Sequence, residues 1–230
     1  MNDVAATPRT ALLAGATGLV GRALLPMLLA GKHYRQVHVV LRRAAPDIEA
    51  DAKLKVHRVD FARLPTVFPT VDDVYIALGT TIKVAGSEAA FRQVDLEFVL
   101  NTARAARAAG ATRLAVVSVL GADPGSRVFY NRVKGEMQAA VTQLGYTSVV
   151  VAQPSLLLGD RAALGQPSRL GEVWAARLLG PLGRVVPKGV RPIAARTVAA
   201  ALLAAILGAK PGVRVLKSAE MQAHDPPSQS

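Results

Sequence analysis

The chain has 230 residues, of which 51% are hydrophobic, 19% charged and 4% aromatic, a length that suits one large domain or two small ones around a sizeable core. This balance excludes intrinsic disorder and a membrane-spanning bundle, and the lack of any cysteine excludes a disulfide scaffold, a thiolate nucleophile and thiolate-ligated metals. Lys+Arg outnumber Asp+Glu by 28 to 16, giving +12, which favours an anionic partner such as a nucleotide, nucleic acid or a membrane surface; the basic residues are dispersed and the aromatics few, so much of the charge reads as solvated surface and nucleic acid is not expected.

The first predicted element is a short strand at residues 10–14, which enters the stretch GATGLVG at 15–21. A helix over 19–30, with Gly31 as its stop, and a β-branched strand at 36–41 complete a βαβ unit. Further strands are predicted at 55–59, 74–78, 114–118 and 148–152, and helices at 87–109, ended by Gly110, and at 128–144, ended by Gly145. Such alternation predicts an α/β fold, a doubly wound, Rossmann-like parallel sheet covered on both faces, in one domain spanning the chain. Residues 155–192 are rich in Gly, Pro and Arg and read as a small substrate-side insertion, with Trp174 and Leu178 packing on one short helical face. A helix at 197–207 and a strand at 213–216 follow, and residues 219–230, with Pro226 and Pro227, are expected to fray. The apolar run at 198–209 is well short of the roughly 20 residues that cross a bilayer, and no secretory pattern opens the chain. A cytoplasmic location is therefore expected, with peripheral membrane contact as the alternative.

Gly15, Gly18 and Gly21 stand at G-x-x-G-x-x-G spacing between a strand and a helix, with Thr17, Leu19 and Val20 completing the turn. Bare backbone N–H groups in that position can approach a pyrophosphate; a tight turn without ligand is the plain alternative. At the end of the second strand, where an NAD site commonly holds an acid against the ribose 2′-hydroxyl, stand Arg42 and Arg43. Two guanidiniums suit a 2′-phosphate, so NADP(H) is the expected cofactor, led by Arg42, with NAD(H) as the alternative and a solvated basic turn as the plain reading. Asp60 closes the third strand and suits an adenine amino group, or else caps its own turn. Leu78, Gly79 and Thr80 end the fourth strand, where the glycine lets backbone pass close to a ribose.

Tyr130 and Lys134 are spaced i, i+4 and share one helix face. A free phenol has a pKa of about 10, and an ammonium about 4 Å away at an effective dielectric near 20 favours its anion by roughly 4 kcal/mol before desolvation. Ser118 ends a central strand and brings a hydroxyl to the same carboxyl edge, where open α/β sheets bind ligands. His33, His38, His57 and His224 show no metal-ligand spacing, and Arg104, Arg107 and Arg113 read as an exposed basic face.

The stretches GATGLVG, VLRR, ALGTT, VDLEFVLNTARAA, VVSVLGADPGS, YNRVKGEM and QPSLLLG span most of residues 10–159 and occur in the order seen in short-chain dehydrogenase/reductases. The chain is most similar to the atypical branch of NAD(P)-binding Rossmann proteins that includes the Tat-interacting oxidoreductase-like proteins, whose helix also carries Tyr-x-x-x-Lys-Gly-Glu. The resemblance implies that Tyr130 donates a proton to a carbonyl oxygen and that Lys134 lowers the tyrosine pKa and holds the nicotinamide ribose. It also implies that Ser118 orients the substrate and that Pro154, Ser155 and Leu156 line the nicotinamide side. Two departures stand out: Val119 where relatives often place a second hydroxyl, and Asp95 where many carry an asparagine that organises a relay water. The expected function is NADP(H)-dependent reduction of a small carbonyl or quinone-like compound by a monomer or homodimer. The alternative is a non-enzymatic NADP(H)-sensing regulatory protein that binds another protein.

Overall fold

The computed structural model describes residues 8–158 and 189–224. Its strands are β1 (Arg9–Ala14), β2 (Tyr34–Leu41), β3 (Leu54–Arg58), β4 (Asp73–Ile76), β5 (Arg113–Val117), β6 (Ser148–Gln153), β7 (Leu157–Leu158), β8 (Ile193–Ala194) and β9 (Gly212–Lys217). All but β7 and β8 form one seven-stranded sheet in the order β3-β2-β1-β4-β5-β6-β9, with every pair parallel. The chain steps outward one way through β1, β2 and β3, then returns to β4 beside β1 and proceeds the other way. Ligands of open α/β sheets bind at the carboxyl ends beside that reversal.

Central strands read as unbroken apolar runs because helices cover both faces: Leu12 and Leu13 point to opposite faces of β1, and neither is exposed. One layer holds α1 (Leu19–Ala30) and α6 (Ala195–Leu207), where Leu24, Leu28 and Val198 are buried. The other holds α4 (Phe98–Ala108) and α5 (Phe129–Thr142), with Val99, Val133 and Met137 in the core. Each fully buried aliphatic side chain of this kind contributes about 1.5–3 kcal/mol.

The long helix predicted at 87–109 is three segments. After the single turn α2 (Ile82–Ala85), Ser87 accepts the Ala90 N–H and starts α3 (Glu88–Arg92), a π-helical turn spans Gln93–Glu97, and α4 continues to Ala108. Asp95 lies in the π turn with none of its surface exposed.

Several expectations are corrected. The fourth strand ends at Ile76, so Leu78, Gly79 and Thr80 belong to the loop that follows. Residues 219–224 do not fray: α7 (Ser218–Met221) and a 3-10 turn (Gln222–His224) dock there, because Met221 is wholly buried in the α1/α6 layer. Arg113 is no part of a basic face; it lies 2.5 Å from the buried Asp73, which also takes Arg9 at 3.3 Å and the Tyr34 hydroxyl at 2.6 Å. Arg107 is likewise engaged, its Nε donating to the Gly145 carbonyl at 2.8 Å. The ends of the expected insertion are tied together by β7 and β8, which pair in parallel. Its centre, with Trp174 and Leu178, lies outside the described residues, as do residues 225–230.

Candidate functional site

The three glycines after β1 have different reasons to be glycine. Gly15 has a φ of +90°, and a Cβ on it would lie 2.5 Å from the Ala77 carbonyl carbon. A Cβ on Gly21 would collide with the Gly15 carbonyl, so its absence seats α1 on the turn. Gly18 has an ordinary φ of −83°, and a Cβ there would meet nothing nearer than the Gly15 oxygen at 3.4 Å. The fold does not demand a glycine at 18; its bareness opens onto a cleft. There α1 begins with no side-chain cap and no acidic residue in its first turn, so the first backbone N–H groups are left for an anion.

That cleft has a volume of about 420 Å³ and lies at the carboxyl ends of β1, β4, β5 and β6. Gly18, Leu19 and Val20 form one wall, with Leu78, Gly79 and Thr80 from the loop after β4 beside them. Ser118 after β5, Tyr130 and Lys134 of α5, and Pro154, Ser155 and Leu156 after β6 complete it. The cleft thus brings together residues expected at the phosphate end and at the tyrosine end of the site.

Other expected residues lie outside it. Gly15 and Gly21 shape the turn from below, and Thr17 is exposed, its carbonyl accepting from Arg22 Nε at 3.2 Å. Arg42 and Arg43 project into solvent at the carboxyl end of β2 and form no ion pair among the described residues. The pairing of Leu41 with Arg58 sets this end beside that of β3, where Asp60 is exposed. One oxygen of Asp60 accepts the Ala62 N–H at 2.9 Å, which makes it a turn cap. Ser155 turns its hydroxyl inward, donating to the Arg191 carbonyl and accepting from Ser218 at 3.0 Å.

Behind the cleft lies an ion pair that spacing alone did not reveal. Lys134 Nζ stands 2.6 Å from Asp95 Oδ1, with the lysine side chain 4% exposed and the aspartate 0%. Asp95 Oδ2 accepts the Thr80 N–H at 2.8 Å, and a Cβ on Gly79 would come within 3.3 Å of Asp95 Oδ1. Gly79 therefore leaves room for a buried carboxylate. Burial pulls the Lys134 pKa down, but the charge of Asp95 and the hydrogen bond to it outweigh that, holding the amine above its ordinary value as an ammonium. The burial of Asp95, though not its partner, left a signal in the sequence: Phe91, Asp95 and Val99 are spaced i, i+4, i+8, with an acid where the core otherwise takes hydrophobes.

The Tyr130 ring is half-buried, 5.2 Å from the Phe91 ring, and its hydroxyl has no hydrogen-bond partner among the described residues. Ser118 is buried, and its Oγ accepts from Gln138 Nε2 at 2.5 Å. Val119 lines the cleft next to it. One residue beyond Lys134, a Cβ on Gly135 would collide with the backbone of Asp123 and Pro124, so its absence lets the loop after β5 lie directly on α5.

The NAD(P)H-binding family model matches residues 15–154. Protein HTATIP2 of Rattus norvegicus is 34% identical over 178 residues, spanning 76% of this chain and 72% of that protein. Protein fmp52, mitochondrial, of Emericella nidulans is 32% identical over 180 residues, spanning 75% and 76%. The fold matches solved structures: MoeE5 in complex with UDP-glucose and NAD has a TM-score of 0.67 at 17% identity, covering 90% of this chain and 75% of that one. Bordetella bronchiseptica WbmG in complex with NAD has a TM-score of 0.66 at 15% identity, covering 96% and 77%. The expected cytoplasmic location is overturned by the fungal relatives, which are named as mitochondrial proteins. The chain belongs to the NAD(P)H-binding family, on the HTATIP2/FMP52 branch of the atypical short-chain dehydrogenase/reductases.

Proposed function

We propose that the protein is an NADP(H)-dependent reductase of small carbonyl or quinone-like compounds, with Tyr130 as its acid/base. The observation that carries this reading is the unpartnered Tyr130 hydroxyl in the same cleft as the buried Lys134 ammonium. Gly18 and the uncapped start of α1 fit a pyrophosphate, and the dinucleotide, when bound, supplies the hydride. Tyr130 passes its proton to the substrate oxygen, and the Lys134 ammonium favours the phenolate left behind. Asp95 keeps that ammonium charged and in place, and Ser118 holds the substrate oxygen. Arg42 and Arg43 suit a 2′-phosphate through charge-assisted bonds, and the second oxygen of Asp60 suits the adenine amino group.

The test is NADPH consumption by the purified protein against benzaldehyde, acetophenone and 1,4-benzoquinone. Tyr130→Phe is expected to lose turnover by about 100-fold or more while still binding NADPH. Turnover equal to that of the parent would refute the assignment. Arg42→Ala is expected to bring the affinities for NADPH and NADH together.

A second reading, an NADP(H)-sensing regulatory protein, is favoured by Val119, which puts an apolar side chain in the cleft where a second hydroxyl would serve catalysis. It predicts tight dinucleotide binding with no consumption across the same panel.

A further inference from the structure

Four side chains cross the carboxyl edge of the sheet in one hydrogen-bonded line. Register pairs Gln153 on β6 with Lys217 on β9, and Lys217 Nζ donates to Gln153 Oε1 at 2.5 Å. Gln153 Nε2 donates to Gln138 Oε1 at 3.0 Å, and Gln138 Nε2 donates to Ser118 Oγ at 2.5 Å. The direction is chemically fixed from one end. An ammonium only donates, so Gln153 must turn its oxygen toward Lys217, which leaves its NH₂ for Gln138. Gln138 must then accept with its oxygen and present its own NH₂ to Ser118. The serine oxygen is committed as an acceptor inside the protein, and its proton is left to point elsewhere. Ser118 lines the cleft and makes no other side-chain hydrogen bond among the described residues, so the cleft is where that proton goes.

We propose that Lys217, Gln153 and Gln138 are positioning residues that hold the Ser118 hydroxyl as a hydrogen-bond donor into the cleft, so that the subsite beside Tyr130 takes an acceptor oxygen, carbonyl or carboxylate. This rests on the cleft being the substrate site. Tyr130 and Ser118 then offer two donors to one oxygen, and Val119 costs the site no donor. Because a cation heads the line, each bond polarises the next toward Ser118.

The chain contains no cysteine, so Ser118→Cys introduces a single thiol that reports on this position without any substrate or cofactor. Its titration is followed by the pH dependence of iodoacetamide alkylation. An ordinary thiol has a pKa of about 8.5, and a sulfur that receives the Gln138 N–H titrates below that. Lys134, Asp95 and Tyr130 face the same cleft and are unchanged across the variants compared. Gln138→Glu in this background replaces the donor by a carboxylate, and the titration is expected to rise. Lys217→Met frees both amides to turn over and is expected to raise it as well, whereas Lys217→Arg restores the parent value. Identical titrations with Gln138→Glu and Lys217→Met would overturn the proposal.

In the native Ser118 background, Gln138→Glu turns the serine proton inward. It is expected to lower kcat about 100-fold, as removal of one oxyanion donor does, with affinity for NADPH unchanged and no further loss on adding Ser118→Ala. An unaltered kcat in an active parent would also overturn the relay. If the parent consumes no NADPH, the reductase reading fails by itself and the thiol titration still decides the relay.

Discussion

Gly15 and Gly18 are indistinguishable in the motif, yet only the first is held by the backbone. Gly15→Ala forces a side chain into positive φ and against Ala77, and is expected to cost about 1–3 kcal/mol in urea unfolding. Gly18→Ala is expected to leave unfolding unchanged and, on the proposed pyrophosphate seat, to weaken NADPH binding about tenfold, because its Cβ would project into the cleft rather than into protein. Lys134→Met strands the Asp95 carboxylate in a site with no exposed surface, at an expected cost of about 3–5 kcal/mol. Adding Asp95→Asn is expected to recover part of that loss, a non-additivity that thermal or urea unfolding of the single and double variants measures. At this scale the glycines, Tyr130 and Lys134 were legible because their spacing is local. The Asp95 contact was not, because it depends on a π turn bringing a residue from a different helix under the loop after β4.

Among the elements, the long strands were legible because burial on both faces writes them as apolar runs of the right length. What escaped was short and non-local. β7 and β8 are two residues each, and they pair across the whole expected insertion. No window of sequence contains both. The same holds for α7, which exists because Met221 finds a core built by distant helices. On the outer strands, His38 Nδ1 and His57 Nε2 lie 2.8 Å apart with their rings stacked. Burial lowers the pKa of both, and the His57 and Lys55 charges lower that of His38 further. The unfolded chain takes up these protons near pH 6.5, the folded one only at lower pH, so stability is full above about 6.5 and declines as pH falls through the folded values. Urea midpoints are expected to drop between about pH 7 and pH 5, and His57→Gln is expected to flatten that decline.

For the molecule as a whole, the doubly wound parallel sheet followed from the βαβ rhythm, since parallel strands require crossovers and crossovers cover both faces; the strand order did not. Location did not follow, because composition carries no address, and relatives named as mitochondrial corrected it. Binding of the dinucleotide to the folded chain alone stabilises everything at once, by about 2.7 kcal/mol at one hundred times the dissociation constant. On the proposed NADP(H) preference, NADPH is expected to raise the melting temperature more than NADH at equal concentration, and Arg42→Ala is expected to remove the difference.

The bare α-carbon of Gly135 has a wider reach than its size. By letting the Asp123–Pro124 backbone rest against α5, it clamps the loop that follows Ser118 to the helix that carries Tyr130 and Lys134. Two sides of the candidate cleft are thereby welded into one rigid jaw. A single methyl group at 135 would act as a wedge, prising the Ser118 side of the cleft from the Tyr130 side without altering either side chain.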